Sequence, residues 1–243
     1  MESCQDVFQR YEKKYLISKE QQEYLLPFLL EHLEKDGYGR HTILSLYYDT
    51  PDWQLIRASL EKPVYKEKLR LRSYGTPGEG DTVFLELKKK FKGIVYKRRV
   101  PMPLYEAKRF LHTGAPPERP EQILSEIGWF MQFYHPVPAA FIAYDRIALA
   151  GIRDTEIRVT FDQDIRGRDT ALDLAASAWG TPILPSGTMV MEVKLPGVMP
   201  LWMSRLFSRS EVFPASFSKY GAYYQNHLTK AKSMDTKGEL LHA

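Results

Sequence analysis

Charged residues alternate with apolar ones along several segments of this chain, and that spacing is the first chemical signal. In 64–74 (VYKEKLRLRSY), Lys66, Lys68, Arg70 and Arg72 fall at every second position, with Tyr65, Leu69 and Leu71 between them. Residues two apart on a strand share a face, so the cations form one wall and the apolar side chains the other. The same split sets Glu86, Lys88 and Lys90 against Leu85 and Leu87, and Glu156, Arg158 and Asp162 against Ile157, Val159 and Phe161. Glu192 and Lys194 oppose Val193 and Leu195, and Arg10, Glu12 and Lys14 line one face of the first such segment. A single strand of this kind is ordinarily an amphipathic strand with a solvated face. Five together, with bases dominating, describe a cationic surface that is self-repulsive unless it serves an anion. Arg70 and Arg72 present two guanidinium forks one strand step apart, suited to successive phosphates. No GxxxxGK[ST] loop is present to hold phosphate by backbone amides, so side chains must do it. The interspersed carboxylates then read as ligands for Mg²⁺ or Mn²⁺, with phosphate oxygens completing the shell.

Other chemistries are thinner. The six histidines form no HExxH and no cluster, and Cys4 is the one cysteine, so neither a zinc site nor an intrachain disulfide is expected. A formal charge of +4 is too mild for a nucleic-acid-sliding protein, and the apolar residues Tyr65, Leu69 and Leu71 lie opposite the bases, whereas RNA readers place aromatics beside them. Asp162 and Asp164 are candidates for a metal, but Arg166 and Arg168 follow closely and local ion pairing is an equal alternative. Tyr47, Tyr48, Tyr220 and Tyr224 read as core or barrel-girdle residues, and the methionines near 189–203 as packing. The amino-terminal residues lack a signal-peptide core and no stretch approaches the roughly 18 apolar residues of a membrane span. The chain is expected to be cytoplasmic, without membrane insertion, any membrane association requiring a partner protein.

The elements that must position these residues follow from pattern. Strands are expected over 7–17, the HTILSLYYDT segment, 64–74, 82–91, 94–102, 139–149, 155–165 and 189–196, with Lys92-Gly93 turning a tight hairpin. Ser18 and Gln21 make a capping box for a helix over 19–34. Further helices are expected near 51–60, 103–112, 119–133, 200–208 and 217–229, and residues 167–188 have no clear pattern. Strands with interspersed helices but no βαβα rhythm predict an α+β protein: an antiparallel β-barrel of about eight strands forming a charged tunnel, surrounded by helices. A single domain over 1–243 is expected, with its core at about 8–228 and a polar tail over 230–243.

The segments RYEKKYLI, EKLRLRSYG, VFLELKKK, VYKRRV, YDRIAL, IRVTFDQDI, MEVKLP and FSKY, in this order, resemble the VTC (vacuolar transporter chaperone) polyphosphate polymerase domain of the triphosphate tunnel metalloenzymes. The resemblance implies a tunnel in which ATP extends an inorganic polyphosphate chain with a divalent metal, commonly manganese. It implies Arg70, Arg72, Lys88 and Arg158 as the groups holding the transferred phosphoryl. Lys14, Lys68, Lys97, Arg99, Arg146, Lys194, Ser218 and Lys219 are implied as phosphate contacts, Lys194 alternatively as a partner of a buried acid. Glu192 is implied as metal ligand, with Glu12 and Glu86 as secondary candidates. Hydrolytic relatives begin with an ExExK strand; here the run is Arg10-x-Glu12-x-Lys14, which leans toward the polymerase branch. The 243 residues are expected to leave no room for the phosphate-sensing domain or membrane helices of eukaryotic relatives, leaving a membrane-protein partner open. A tunnel triphosphatase and a non-catalytic polyphosphate-binding module are the alternative readings.

Overall fold

A computed structural model describes residues 11–92, 94–117 and 121–229. Cys4, Arg10, Gly93 of the expected hairpin turn, and the tail from 230 lie outside the described residues. The strands are β1 (Tyr11–Ser18), β2 (Leu33–Lys35), β3 (His41–Asp49), β4 (Tyr65–Tyr74), β5 (Thr82–Phe91), β6 (Ile94–Pro103), β7 (Val137–Gly151), β8 (Arg158–Arg168), β9 (Thr181–Pro182) and β10 (Thr188–Leu195). Helices are α1 (Lys19–Leu30), α2 (Gln54–Leu60), α3 (Leu104–Thr113), α4 (Gln122–Tyr134), α5 (Leu201–Arg209) and α6 (Lys219–Tyr223), the last running into a π-helical turn, Tyr224–Leu228. The strand order is β1-β10-β8-β7-β3-β4-β5-β6, with β2 on β7 and β9 on β8. The expected antiparallel α+β architecture is therefore present, as a ladder with two ends rather than a closed ring among the described residues.

Two compact units share this chain, each from interleaved segments. One comprises 1–42, 144–165 and 184–217; the other comprises 43–143, 166–183 and 218–243. In the first, the apolar faces of β1, β10 and β8 pack under α1 and α5 around Tyr15, Phe161, Met191, Met203 and Phe207. In the second, those of β3, β4 and β5 pack under α3 and α4 around Leu44, Leu69, Leu85, Phe110 and Phe130. Each core thus takes one parity of the alternating strands and leaves the charged parity on the opposite face.

The ends of elements show what pattern alone misjudged. Ser18 caps α1 as expected, its hydroxyl accepting from the Gln21 amide at 3.2 Å while the Gln21 side chain accepts from the Ser18 amide at 3.0 Å. The helix stops at Leu30 rather than 34. Pro27 has already removed one ladder donor, and Leu33, buried, goes to the sheet opposite Gly151. The expected last helix is divided, because a π turn lets Tyr220, Tyr223, Tyr224 and Leu228 all be buried.

The patternless stretch 167–188 is organised by one side chain. Arg168 is 3% exposed, and its guanidinium donates to the carbonyls of Ala171 (3.2 Å), Asp173 (3.0 Å), Ser177 (3.0 Å) and Trp179 (2.8 Å) over the Phe141 ring. Arg166 likewise donates to the Ala178 carbonyl at 2.5 Å. Asp162 pairs with Arg146, and Asp164 with Arg40. A strand throws residues two apart onto one face, but the loop offers carbonyls that satisfy the whole fork. Arg168→Ala should cost on the order of 3 kcal/mol by orphaning these acceptors, and Arg168→Lys should recover little, because an ammonium lacks the planar fork. Chemical denaturation checks this; a loss below about 1 kcal/mol would show that the loop holds itself.

Candidate phosphate-binding site

The second unit gathers cations in rows across three strands. Lys68, Lys88 and Lys97 are in register on β4, β5 and β6, and one step along, Arg70, Glu86 and Arg99 are in register. Arg72 follows one step further, opposite Ser45 of β3, and Tyr47 stands opposite Arg70. Glu86, 1% exposed, is the counter-ion. Its Oε2 accepts from Arg70 Nε at 2.7 Å and pairs with Arg70 Nη2 at 2.6 Å, and Arg72 lies at 3.9 Å. Its Oε1 pairs with Lys97 at 2.7 Å and Arg99 at 3.5 Å. Burial works to raise the Glu86 pKa, but Arg70, Arg72 and Lys97 together hold it well below the usual carboxylate range. With four cations within reach of its carboxylate, Glu86 balances their charge.

The surplus of positive charge leaves its mark on the neighbours. Burial pushes the Lys97 ammonium down, Glu86 pushes it up, and Arg70 and Arg72 push it down again, to about 8. Tyr47 responds in the opposite chemical sense: burial raises its pKa, but Arg70, Arg72 and Lys68 more than offset this and bring it down to about 8. Its hydroxyl accepts from Arg70 Nη1 at 3.1 Å. Tyr47 is thus part of the cationic site as well as of the core. Pattern reading missed it and Ser45, whose hydroxyl accepts from Arg72 Nε at 3.4 Å; their signal was that Ser45, Tyr47 and Asp49 alternate along β3.

Beneath the site, Asp49 fixes the backbone. Its buried carboxylate accepts from the amides of Thr50, Leu55 and Ile56 (2.8, 2.9 and 3.0 Å) and from the Tyr220 hydroxyl (2.9 Å), and the Tyr220 ring stacks on Tyr47 at 4.8 Å. The FSKY segment is positioned this way: Ser218 caps α6, Lys219 begins it in a buried position, and Lys68 Nζ donates to Ser218 Oγ at 3.2 Å.

The first unit holds a second cluster of paired charges. Glu192 on β10 is 7% exposed; its Oε1 lies 3.3 Å from Lys14 and its Oε2 3.3 Å from Arg146. Lys14 also reaches Glu12 at 3.5 Å, and Arg146 grips Asp162 bidentately at 2.6 and 2.8 Å. Burial disfavours the Arg146 charge, but Tyr144, Asp162 and Glu192 raise its pKa well above the ordinary value. Lys194 sits in register with Glu12 on one side and exposed Arg158 on the other. Thr160, opposite Glu192, has a buried hydroxyl without a hydrogen-bond partner in this structure, and nothing in the sequence marked it.

The donor set bears on a metal. Among the described residues no three His, Cys, Asp or Glu side chains form a group able to hold one alone. Glu192 and Glu12, both against Lys14, do fit a hard divalent ion whose remaining positions are filled by phosphate oxygens, the usual manner of Mg²⁺.

Arrangement and sequence agree with known proteins as follows. The VTC domain family profile matches residues 9–227. A candidate adenylate cyclase from Bacillus halodurans superposes with a TM-score of 0.54 at 14% identity, over 85% of this chain and 92% of that one. A candidate adenylyl cyclase from Hippeastrum, described with a dominant triphosphatase activity, superposes with a TM-score of 0.51 at 15% identity, over 88% and 94%. No curated protein sequence matches at a significant level. At such identities the structural likeness is one of fold alone.

The electrostatics make one measurement specific. In an ultraviolet titration of the fifteen tyrosines, one should ionise near pH 8, and Tyr47→Phe should remove that step. Saturating tripolyphosphate should move the step upward, since a bound anion cancels the cations that favour tyrosinate. A wild-type titration with no step below the ordinary tyrosine range contradicts the described charge surplus.

Proposed function

We propose, because the chain belongs to the VTC domain family, that it transfers the γ-phosphoryl group of ATP to the end of an inorganic polyphosphate chain. The observation that carries this reading is the length of the cationic wall. Lys68, Arg70 and Arg72 occupy three successive same-face positions of β4, about 13 Å of strand, flanked in register by Lys88, Lys97 and Arg99. Such a wall serves a linear polyanion over several phosphates.

Chemically, a terminal oxygen of the acceptor phosphate attacks the γ-phosphorus of ATP, the bond to the β,γ-bridging oxygen breaks, and ADP leaves with that electron pair. The attacking oxygen is already anionic, so no catalytic base is needed. The protein's part is positioning and charge neutralisation in a loose transition state. Arg70, Arg72 and Lys88 are assigned to the transferring group; Arg158 belongs to the first unit and is exposed there. Lys68, Lys97, Arg99, Ser218 and Lys219 are assigned to phosphates along the chain. Lys14 and Arg146 pair with Glu12, Glu192 and Asp162, and their proposed part is to orient Glu12 and Glu192; Lys194 is proposed as a phosphate contact or a partner of Glu12. Glu12 and Glu192 would hold Mg²⁺ or Mn²⁺, which when bound supplies charge neutralisation on phosphate oxygens.

Incubation with ATP and Mn²⁺, with polyphosphate resolved on a gel and ADP and free phosphate assayed in parallel, tests the reading. A polymer ladder matched by ADP is expected. Arg72→Ala should lower the rate about a hundredfold, and Glu192→Gln should abolish metal-dependent turnover while the protein still folds. Free phosphate without polymer would replace this reading with a tunnel triphosphatase; tight polyphosphate binding without turnover would replace it with a binding module.

A further inference from the structure

At Arg72 the face of the second unit that carries the cations changes character. Phe84 on β5 stands opposite Arg72, and Pro101 on β6 stands opposite Phe84. One strand step beyond Arg72, Tyr74 stands opposite the buried Ile43 of β3. These four residues keep the parity of Arg70, Glu86, Arg99 and Tyr47, so here apolar side chains follow charged ones along one face. Tyr65, at the other end of β4, has the opposite parity. Arg99 joins the two regions: its Nε lies 3.5 Å from Glu86, its guanidinium carbon 3.5 Å from the centre of the Phe84 ring, and its Nη2 donates to the Tyr74 hydroxyl at 3.2 Å. Tyr74 and Phe84 meet edge to face at 5.7 Å. Tyr74 is 50% exposed, so this shelf presents a ring to solvent.

Its position at the end of the cationic wall indicates the ligand. Aromatic rings and the planes of arginine guanidinium groups are the surfaces on which nucleobases stack. About 7 Å of strand separates Tyr74 from Arg72, a length that a ribose bridges between a base and its first phosphate. A ligand made of phosphates alone gains nothing from Tyr74. A nucleoside triphosphate uses the shelf and the wall together.

We infer that Tyr74, Phe84 and Arg99 form a stacking subsite for the nucleobase of a nucleoside triphosphate, whose phosphates run along Arg72, Arg70 and Lys68 in that order. This rests on the reading of the cationic rows as the site of phosphoryl transfer, and it gives that site a direction. The nucleoside lies at the Tyr74 end of β4, and the acceptor polyphosphate meets it from the side of Lys68, Lys88 and Lys97. Stacking does not read hydrogen-bond pattern, so the subsite accepts other bases besides adenine.

Equilibrium titration of the full chain at fixed Mg²⁺, with the β,γ-imido analogue of ATP and separately with tripolyphosphate, tests this. Tyr74→Ala should weaken the nucleotide analogue about tenfold and leave tripolyphosphate binding unchanged, which also verifies the fold of the variant; Tyr74→Trp should restore the affinity. The ethenoadenine form of the analogue, whose fluorescence stacking quenches, should be quenched by the wild type and not by Tyr74→Ala. Equal weakening of both ligands overturns the subsite, because Tyr74 would then act on phosphate through Arg99; unchanged nucleotide affinity in Tyr74→Ala overturns it as well. The polymer gel separates this from the transfer reading. A polyphosphate ladder with a silent Tyr74→Ala removes the subsite and keeps the transfer, whereas base-dependent binding without a ladder keeps the subsite and removes the transfer.

Discussion

Glu86 holds together side chains that otherwise repel. Four cations lie within 4.0 Å of its carboxylate, and all of them project from the same sheet face. Two like charges at such separations cost about 4 kcal/mol at the effective dielectric near a protein surface. One buried acid against four bases reduces that repulsion without cancelling it, so the cluster is rigid and still electropositive. Burial, with Arg70 and Arg72, lowers the Lys97 pKa, while Tyr47 is lowered against its burial by Arg70, Arg72 and Lys68.

Glu86 can play this part because β5 is the middle strand of three: a residue there reaches β4 on one side and β6 on the other. The first unit uses the same device with different partners. Glu192 lies on β10, between β1 and β8, and collects Lys14 from one neighbour and Arg146 from β7. There Lys14 also meets Glu12, and Arg146 also meets Asp162. Both Glu86 and Glu192 are buried acids on central strands, held by cations from other strands of the sheet.

The apolar parity of the same strands is what makes this affordable. Leu69, Leu71, Leu85 and Leu87 are buried to within about 1% of complete burial, and Val159, Phe161 and Val193 likewise in the first unit. Each such side chain contributes about 1.5–3 kcal/mol on burial, which offsets the desolvation of the charged face. Asp49 adds a local fixture, joining the end of β3 to the start of α2 and to Tyr220 through four hydrogen bonds. The aromatic pair Tyr47 and Tyr220 then carries that fixture up to Arg70.

By itself the sequence determined which residues face each way. Alternation in EKLRLRSY, VFLELKKK and MEVKLP gave the strands, the antiparallel class and the cationic wall, because a period of two in charge and apolarity has one low-energy solution on a half-buried strand. Ser18 with Gln21 gave the start of α1 for an equally local reason. What alternation does not contain is register. The rows Lys68–Lys88–Lys97 and Arg70–Glu86–Arg99, and the recruitment of Tyr47 opposite Arg70, depend on how strands slide against one another. Nor does it contain long-range partners: in the fold both of Asp162's oxygens and one of Glu192's lie on Arg146. Arg168 has no alternating signal at all, since it is satisfied by carbonyls of an irregular loop. Parity is a property of one strand and is written in its residues; which charge meets which is settled by several strands at once, and only the tertiary structure fixes that.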